Sequence, residues 1–107
     1  MEKLIGVAAC PAGIAHTYIA AETLIKMGRK YGYEVKIETN GAGGVENRLT
    51  REDIQQAAAV IIAADTRVEL ERFRGKLVLF VSSKDAIHRG EEVIQMVRDG
   101  AATIYNP

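Results

Sequence analysis

Three short stretches of this chain are almost wholly apolar: Leu4-Ile5-Gly6-Val7-Ala8-Ala9, Ala58-Ala59-Val60-Ile61-Ile62-Ala63-Ala64 and Leu77-Val78-Leu79-Phe80-Val81. None alternates with polar residues: the first two read as strands buried on both faces, the environment of a parallel sheet covered by helices, and the third as a further strand. A fourth stretch, Glu34-Val35-Lys36-Ile37-Glu38-Thr39, does alternate. It suits a strand with one solvated face, at the edge of that sheet.

Helical signals separate these runs. Ile14, Tyr18, Ala21 and Ile25 recur at helical spacing, and Lys26, Arg29 and Lys30 gather before Gly32, as expected at a helix C-terminus. Thr50-Arg51-Glu52-Asp53 has the form of a capping box, and Ser82-Ser83-Lys84-Asp85 offers a second. A brief helical stretch over residues 69–73 ends at Gly75, and residues 91–98 read as a C-terminal helix. Asn40-Gly41-Ala42-Gly43-Gly44 reads as a flexible loop.

Strands alternating with helices require right-handed crossovers. The expected fold class is therefore α/β, a doubly wound four-stranded parallel sheet of order 2-1-3-4, counting the strands above in chain order, with helices on both faces. Residues 1–107 fit one domain, since a second core would need more chain.

Composition narrows the function classes. At 48% hydrophobic and 26% charged residues the chain is globular in character, far from the profile of disorder. Fourteen basic and fourteen acidic residues cancel, which gives no general attraction to nucleic acid or to an anionic membrane, so any anion site must be local. The first residues lack the basic start and apolar core of a signal peptide, and no window is long enough to span a bilayer. The one cysteine, Cys10, cannot form an intrachain disulfide. A cytoplasmic protein is expected. His16, His88 and Cys10 show no paired ligand spacing, so neither a metal nor another cofactor is expected.

In a doubly wound sheet, ligands bind beyond the carboxyl ends of the strands, where the chain direction switches. The segment Cys10-Pro11-Ala12-Gly13-Ile14-Ala15-His16-Thr17 occupies the first strand-to-helix turn. Its small residues let backbone N–H groups converge on an anion, and the helix behind adds its positive end. The same field favours a thiolate over a thiol, which makes Cys10 a candidate nucleophile. The plainer alternative, a buried cysteine closing a strand, gives no reason for the anion loop that follows it.

That segment, with Ala20-Ala21-Glu22 after it, closely resembles the phosphorylation-site loop of the fructose-family IIB proteins of the bacterial phosphoenolpyruvate-dependent sugar phosphotransferase system. Glu38-Thr39 before the glycine loop, Glu46-Asn47, Leu49-Thr50, Ala63-Ala64-Asp65, Glu71-Arg72-Phe73 and Gly75-Lys76 resemble the same family, so the likeness covers nearly the whole chain. The family usually has threonine where this chain has Ala12.

The resemblance implies that Cys10 accepts phosphate from a phosphohistidine on a IIA partner. It then donates the phosphate to fructose or a related sugar held by a membrane-embedded IIC partner. Pro11, Ala12, Gly13, Ile14, Ala15, His16 and Thr17 would form the phosphate-binding loop, with His16 either bonding the phosphoryl group or shaping the loop. The protein would work in the bacterial cytoplasm against an inner-membrane permease, without entering the membrane.

Two rivals are weaker. Low-molecular-weight tyrosine phosphatases use a cysteine loop on a similar sheet, but they place an arginine where this chain has His16, and imidazole lacks the bidentate fork of guanidinium. Their acid would correspond to Asp85, which reads better as the partner of Ser82 in a capping box. A nucleotide-binding module would need Rossmann or Walker spacing around the first strand, whereas the glycines Gly41, Gly43 and Gly44 follow the second. Asp65-Thr66-Arg67 reads as a helix cap, with Thr66 and Glu69 at capping-box spacing, or as a dock for a phosphorylated partner through Arg67. Glu71-Arg72 reads as a solvated helix face.

Overall fold

The computed structural model describes residues 2–11, 14–41 and 43–107, with Ile14 described in its backbone alone. The elements in chain order are β1 (Lys3–Ala9), α1 (Ile14–Lys30), β2 (Glu34–Gly41), β3 (Gly44–Glu46), α2 (Arg51–Gln56), β4 (Ala57–Ala64), a 3₁₀ turn (Glu71–Phe73), β5 (Leu77–Val81), α3 (Ser83–His88), α4 (Gly90–Arg98) and β6 (Thr103–Ile104).

Together they form one six-stranded sheet of order β3-β2-β1-β4-β5-β6. The inner strands β2, β1, β4 and β5 run parallel in the order expected from the sequence. Two short antiparallel edge strands, β3 beside β2 and β6 beside β5, are additions to that expectation. At three and two exposed residues they bury no apolar face and carry no periodicity.

The runs in β1 and β4 are apolar because both faces are covered, whereas in β5 Leu77 and Phe80 are exposed. On one face Leu4 and Ala8 of β1, with Ala59, Ile61 and Ala63 of β4, pack against Ala20, Ala21 and Leu24 of α1, Ala86 of α3, and Val93 and Ile94 of α4. On the other, Ile5 and Val7 of β1, with Val60 and Ile62 of β4, meet Leu49 and Phe73, with Ile54, Val68 and Leu70 packed against them. Successive strand residues thus feed opposite cores, as the two-residue period requires. Helix α1 stops at the expected glycine: Gly32 has φ +87°, and the Tyr33 amide donates to the Gly28 carbonyl.

Three local readings are corrected. The segment read as a flexible loop is a hairpin, since β2 continues to Gly41 and Gly41 pairs with Gly44, while Ala42 lies outside the described residues. Beyond Glu34, which is exposed, the polar face of β2 is not open to solvent. Lys36 reaches Asp53 of α2 at 2.7 Å, and Glu38 is 2% exposed and paired with Arg72, so polar partners cover what alternation alone marks as wet. Finally, Thr66 caps no helix: the next helical turn begins at Glu71, and its N-cap, Leu70, makes no side-chain capping bond.

The Thr50 box is complete. Its hydroxyl accepts the Asp53 amide at 3.0 Å, and Asp53 accepts the Thr50 amide at 2.8 Å. In the second, Ser82 accepts the Asp85 amide at 3.0 Å and opens α3.

Candidate phosphoryl-transfer site

Strand β1 is central, and its last residue is Ala9, so Cys10 sits at the carboxyl end of the most enclosed part of the sheet. It is half-buried, with its thiol in no disulfide, and Pro11 after it is exposed. Only residues 10–13 separate the strand from α1. The first amides of a helix have no partners within it, so the N–H groups of Ile14, Ala15 and His16 are the donors such a turn offers to an anion. No acidic side chain occupies the first turn of α1 to compete for them. Ala15 and His16 are exposed and Thr17 is fully buried, while Ala12, Gly13 and the Ile14 side chain lie outside the described residues.

The topology opens the sheet here. From β1 the chain goes first to β2 on one side and then, through α2, to β4 on the other, so the switch of direction falls between β1 and β4. The Asp65 amide donates to the Ala9 carbonyl at 3.1 Å and joins the two strand ends. The Asp65 carboxylate accepts the Ser83 amide at 3.1 Å and also the Ser83 hydroxyl, so it ties β4 to the start of α3 instead of capping a helix of its own.

Among the described residues, two clefts flank this crest. One, of about 510 Å³, lies between α1 and α3 and is lined by His16, Ile19, Asp65, Ser83, Lys84, Ile87 and His88. Both histidines of the chain therefore face one space. The other, of about 230 Å³, opens on the opposite side of the sheet, with Ala9, Asn40, Thr66 and three arginines, Arg48, Arg67 and Arg72, in its wall.

The floor of the second cleft is a buried ion pair. Arg72 donates to the two oxygens of Glu38 at 2.8 and 2.6 Å, and the Leu49 amide donates to the same carboxylate at 2.9 Å. Burial pushes the Glu38 carboxyl up, but the hydrogen bonds from Arg72 and Leu49 outweigh it and hold the group below the usual carboxylate range. Glu71 is exposed, whereas the Arg72 side chain is only 15% exposed, so the solvated-face reading holds for the first and fails for the second.

The structure thus brings Cys10, Pro11, Ala15, His16 and Thr17 to one strand-to-helix turn. Lys84 and His88 on α3, and Arg48, carried no signal as neighbours of that turn. Nothing local marks them, because their proximity depends on how α3 and the segment after β3 fold back to the crest.

Among known proteins, residues 5–96 match the family model described as "PTS system, Lactose/Cellobiose specific IIB subunit". The chain is 46% identical over 103 residues to the "PTS system fructose-specific EIIABC component" of Bacillus subtilis (strain 168), covering 96% of this chain and 16% of that protein. It is 44% identical over 98 residues to the "PTS system fructose-like EIIB component 2" of Escherichia coli (strain K12), covering 91% and 92% of the two chains. A crystal structure of a domain from the fructose-specific IIABC component of Borrelia burgdorferi superposes with a TM-score of 0.92 at 42% identity, over 97% of this chain and 98% of that one. The chain belongs to the IIB family of the sugar phosphotransferase system, and it is of the fructose type. Among the described residues no helix is long and apolar enough to cross a membrane.

Proposed function

We propose that this chain is a phosphoryl carrier in which Cys10 takes phosphate from a phosphohistidine of a IIA protein and gives it to a sugar bound by a IIC permease. In the first step the Cys10 sulfur attacks phosphorus. The P–N bond breaks, its electron pair returns to the donor imidazole, and that nitrogen takes up a proton. In the second step a sugar hydroxyl attacks the phosphocysteine, the S–P bond breaks, the thiolate is regenerated, and the hydroxyl proton leaves to base or solvent. The loop of residues 11–17 holds the phosphoryl oxygens in both steps through the backbone amides it carries after Pro11, which has no N–H to give.

The observation that carries this reading is the position of Cys10: half-buried at the carboxyl end of the central strand, at the switch point, and directly before the start of α1. Fructose or a related sugar is the substrate favoured by the names of the relatives, and the B. subtilis relative is named as carrying A, B and C components in one protein. The working unit is residues 1–107 as one domain in the bacterial cytoplasm, meeting the permease at the membrane.

Incubating the protein with phosphoenolpyruvate, the general phosphotransfer proteins and a fructose-type IIA donor should give a phosphate adduct by intact mass. The substitution Cys10→Ser should abolish it. No adduct with donors shown to be active, together with Cys10-dependent turnover of a phosphate monoester by the protein alone, would replace the carrier reading with a phosphatase.

A further inference from the structure

We propose that the arginine-lined cleft beside the Cys10 turn is a second anion subsite, built to take the oxygens of a phosphoryl group or phosphomonoester; its part in transfer rests on the carrier reading above. The argument begins with place. Ala9 forms part of the wall and immediately precedes Cys10, while Thr66 and Arg67 follow the end of β4 and Asn40 lies near the end of β2. The cleft therefore occupies the crevice at the switch point, on the sheet face opposite α1, where doubly wound sheets bind ligands.

Charge points the same way. The chain as a whole is neutral, yet three arginines and two glutamates line this one cleft. Arg72 is committed to Glu38 by two short bonds. Arg48 lies 4.0 Å from Glu69, and both side chains are 64% exposed, a contact too long and too wet to bind its charge firmly. Arg67 has no ion-pair or hydrogen-bond partner among the described residues. Two guanidinium groups are thus available over a rigid floor, and each can offer a planar pair of donors suited to phosphate oxygens. A tetrahedral dianion next to the carrier cysteine meets that arrangement better than a carboxylate, because it presents oxygens to several donors at once.

The test uses the full chain with Cys10→Ser, labelled with ¹⁵N and titrated at constant ionic strength with inorganic phosphate and, separately, with fructose 1-phosphate. The expected result is saturable amide shifts at Ala9, Asn40, Thr66 and Arg67. Binding should weaken roughly tenfold in Arg48→Ala/Arg67→Ala, the scale of one charge-assisted hydrogen bond lost. Tighter binding of the sugar phosphate would identify the product as the ligand, and equal binding would identify the phosphoryl group alone. With Cys10 present, the double variant should accept phosphate from the donor roughly tenfold more slowly at unchanged melting temperature. Shifts confined to residues 10–17 and indifferent to the arginines would overturn the subsite, as would donor phosphorylation of the double variant at the wild-type rate. Failure of the wild-type protein to be phosphorylated would count against the carrier reading instead, and the titration would then decide the subsite by itself.

Discussion

Glu38 and Arg72, far apart in sequence, form a two-bond ion pair in which the carboxylate is 2% exposed and the guanidinium side chain 15%. It joins β2 to the 3₁₀ turn before β5 and fixes the floor of the arginine-lined cleft. Breaking such a pair strands a charge in the core, so Arg72→Met should destabilise the fold by about 3–5 kcal/mol. The double change Glu38→Leu/Arg72→Met removes both charges and should recover part of that loss, the remainder being the Leu49 amide left without its acceptor. Urea unfolding of the wild type and the two variants checks the pattern, and a double variant no more stable than the single would show that the lost packing of Arg72 on the Phe73 ring, 4.8 Å away, matters more than the stranded charge.

Acid should weaken the fold through a second cluster. Lys3 and Lys36 each donate to Asp53 at 2.7 Å, which binds the start of β1 and the middle of β2 to α2. Burial raises the Asp53 carboxyl, but the hydrogen bonds from Lys3, Lys36 and Thr50 overcome it and leave the group far below its ordinary value. Glu38 is lowered as well. In both cases the unfolded chain takes up protons first as pH falls. Their stabilisation is therefore complete above about pH 5, the upper end of unfolded carboxylate titration, and is lost as pH drops through the folded values. Stability measured by urea midpoint from pH 7 downwards should fall in the acid range, and Asp53→Asn should flatten that limb while lowering the plateau.

Close strand packing around Gly6 predicts a steep cost for a single methyl group. A Cβ placed there would lie 2.5 Å from the Ile61 carbonyl oxygen and 3.0 Å from Ile37 Cδ1. The first contact is with backbone at the β1–β4 pairing, so no rotamer change relieves it. Gly6→Ala should cost about 1–3 kcal/mol, the range for overpacking. Thermal unfolding measures this, and an unchanged melting temperature would mean the two central strands can separate locally without penalty.

The parts of this architecture that were legible from the chain are those in which one residue type has one physical reason to be there. Runs such as residues 58–64 had to be buried on both faces, which marked them as the parallel core. The Thr50 box and Gly32 marked helix ends by local hydrogen bonding and backbone angle. Illegible were features settled by partners distant in sequence. Glu38 occupies a polar position in an alternating strand, and only the arrival of Arg72 makes burial affordable there. Asp65 followed a strand as a cap would, yet its carboxylate was claimed by Ser83. The same logic divides the site: the Cys10 turn is a local segment and could be read, whereas the arginines around it are gathered by the fold.

The Asp65–Ser83 connection yields the sharpest test of whether α3 is held from the β4 side. Ser83 is 3% exposed, and both its amide and its hydroxyl donate to the Asp65 carboxylate. Asp65→Ala would leave two buried donors without an acceptor, a loss of about 1–3 kcal/mol for each group left unsatisfied. Asp65→Asn keeps one carbonyl oxygen for the Ser83 amide, and the serine hydroxyl can turn to accept from the new NH₂ group, so this variant should lie much closer to wild type. Hydrogen exchange should rise over residues 83–88 in Asp65→Ala alone, with β1 and β4 still protected. Equal losses in the two variants would mean that the charge, and not the satisfaction of Ser83, holds α3 against the sheet, and would place the carboxylate's contribution in the electrostatics of the His16 and Lys84 cleft that it also lines.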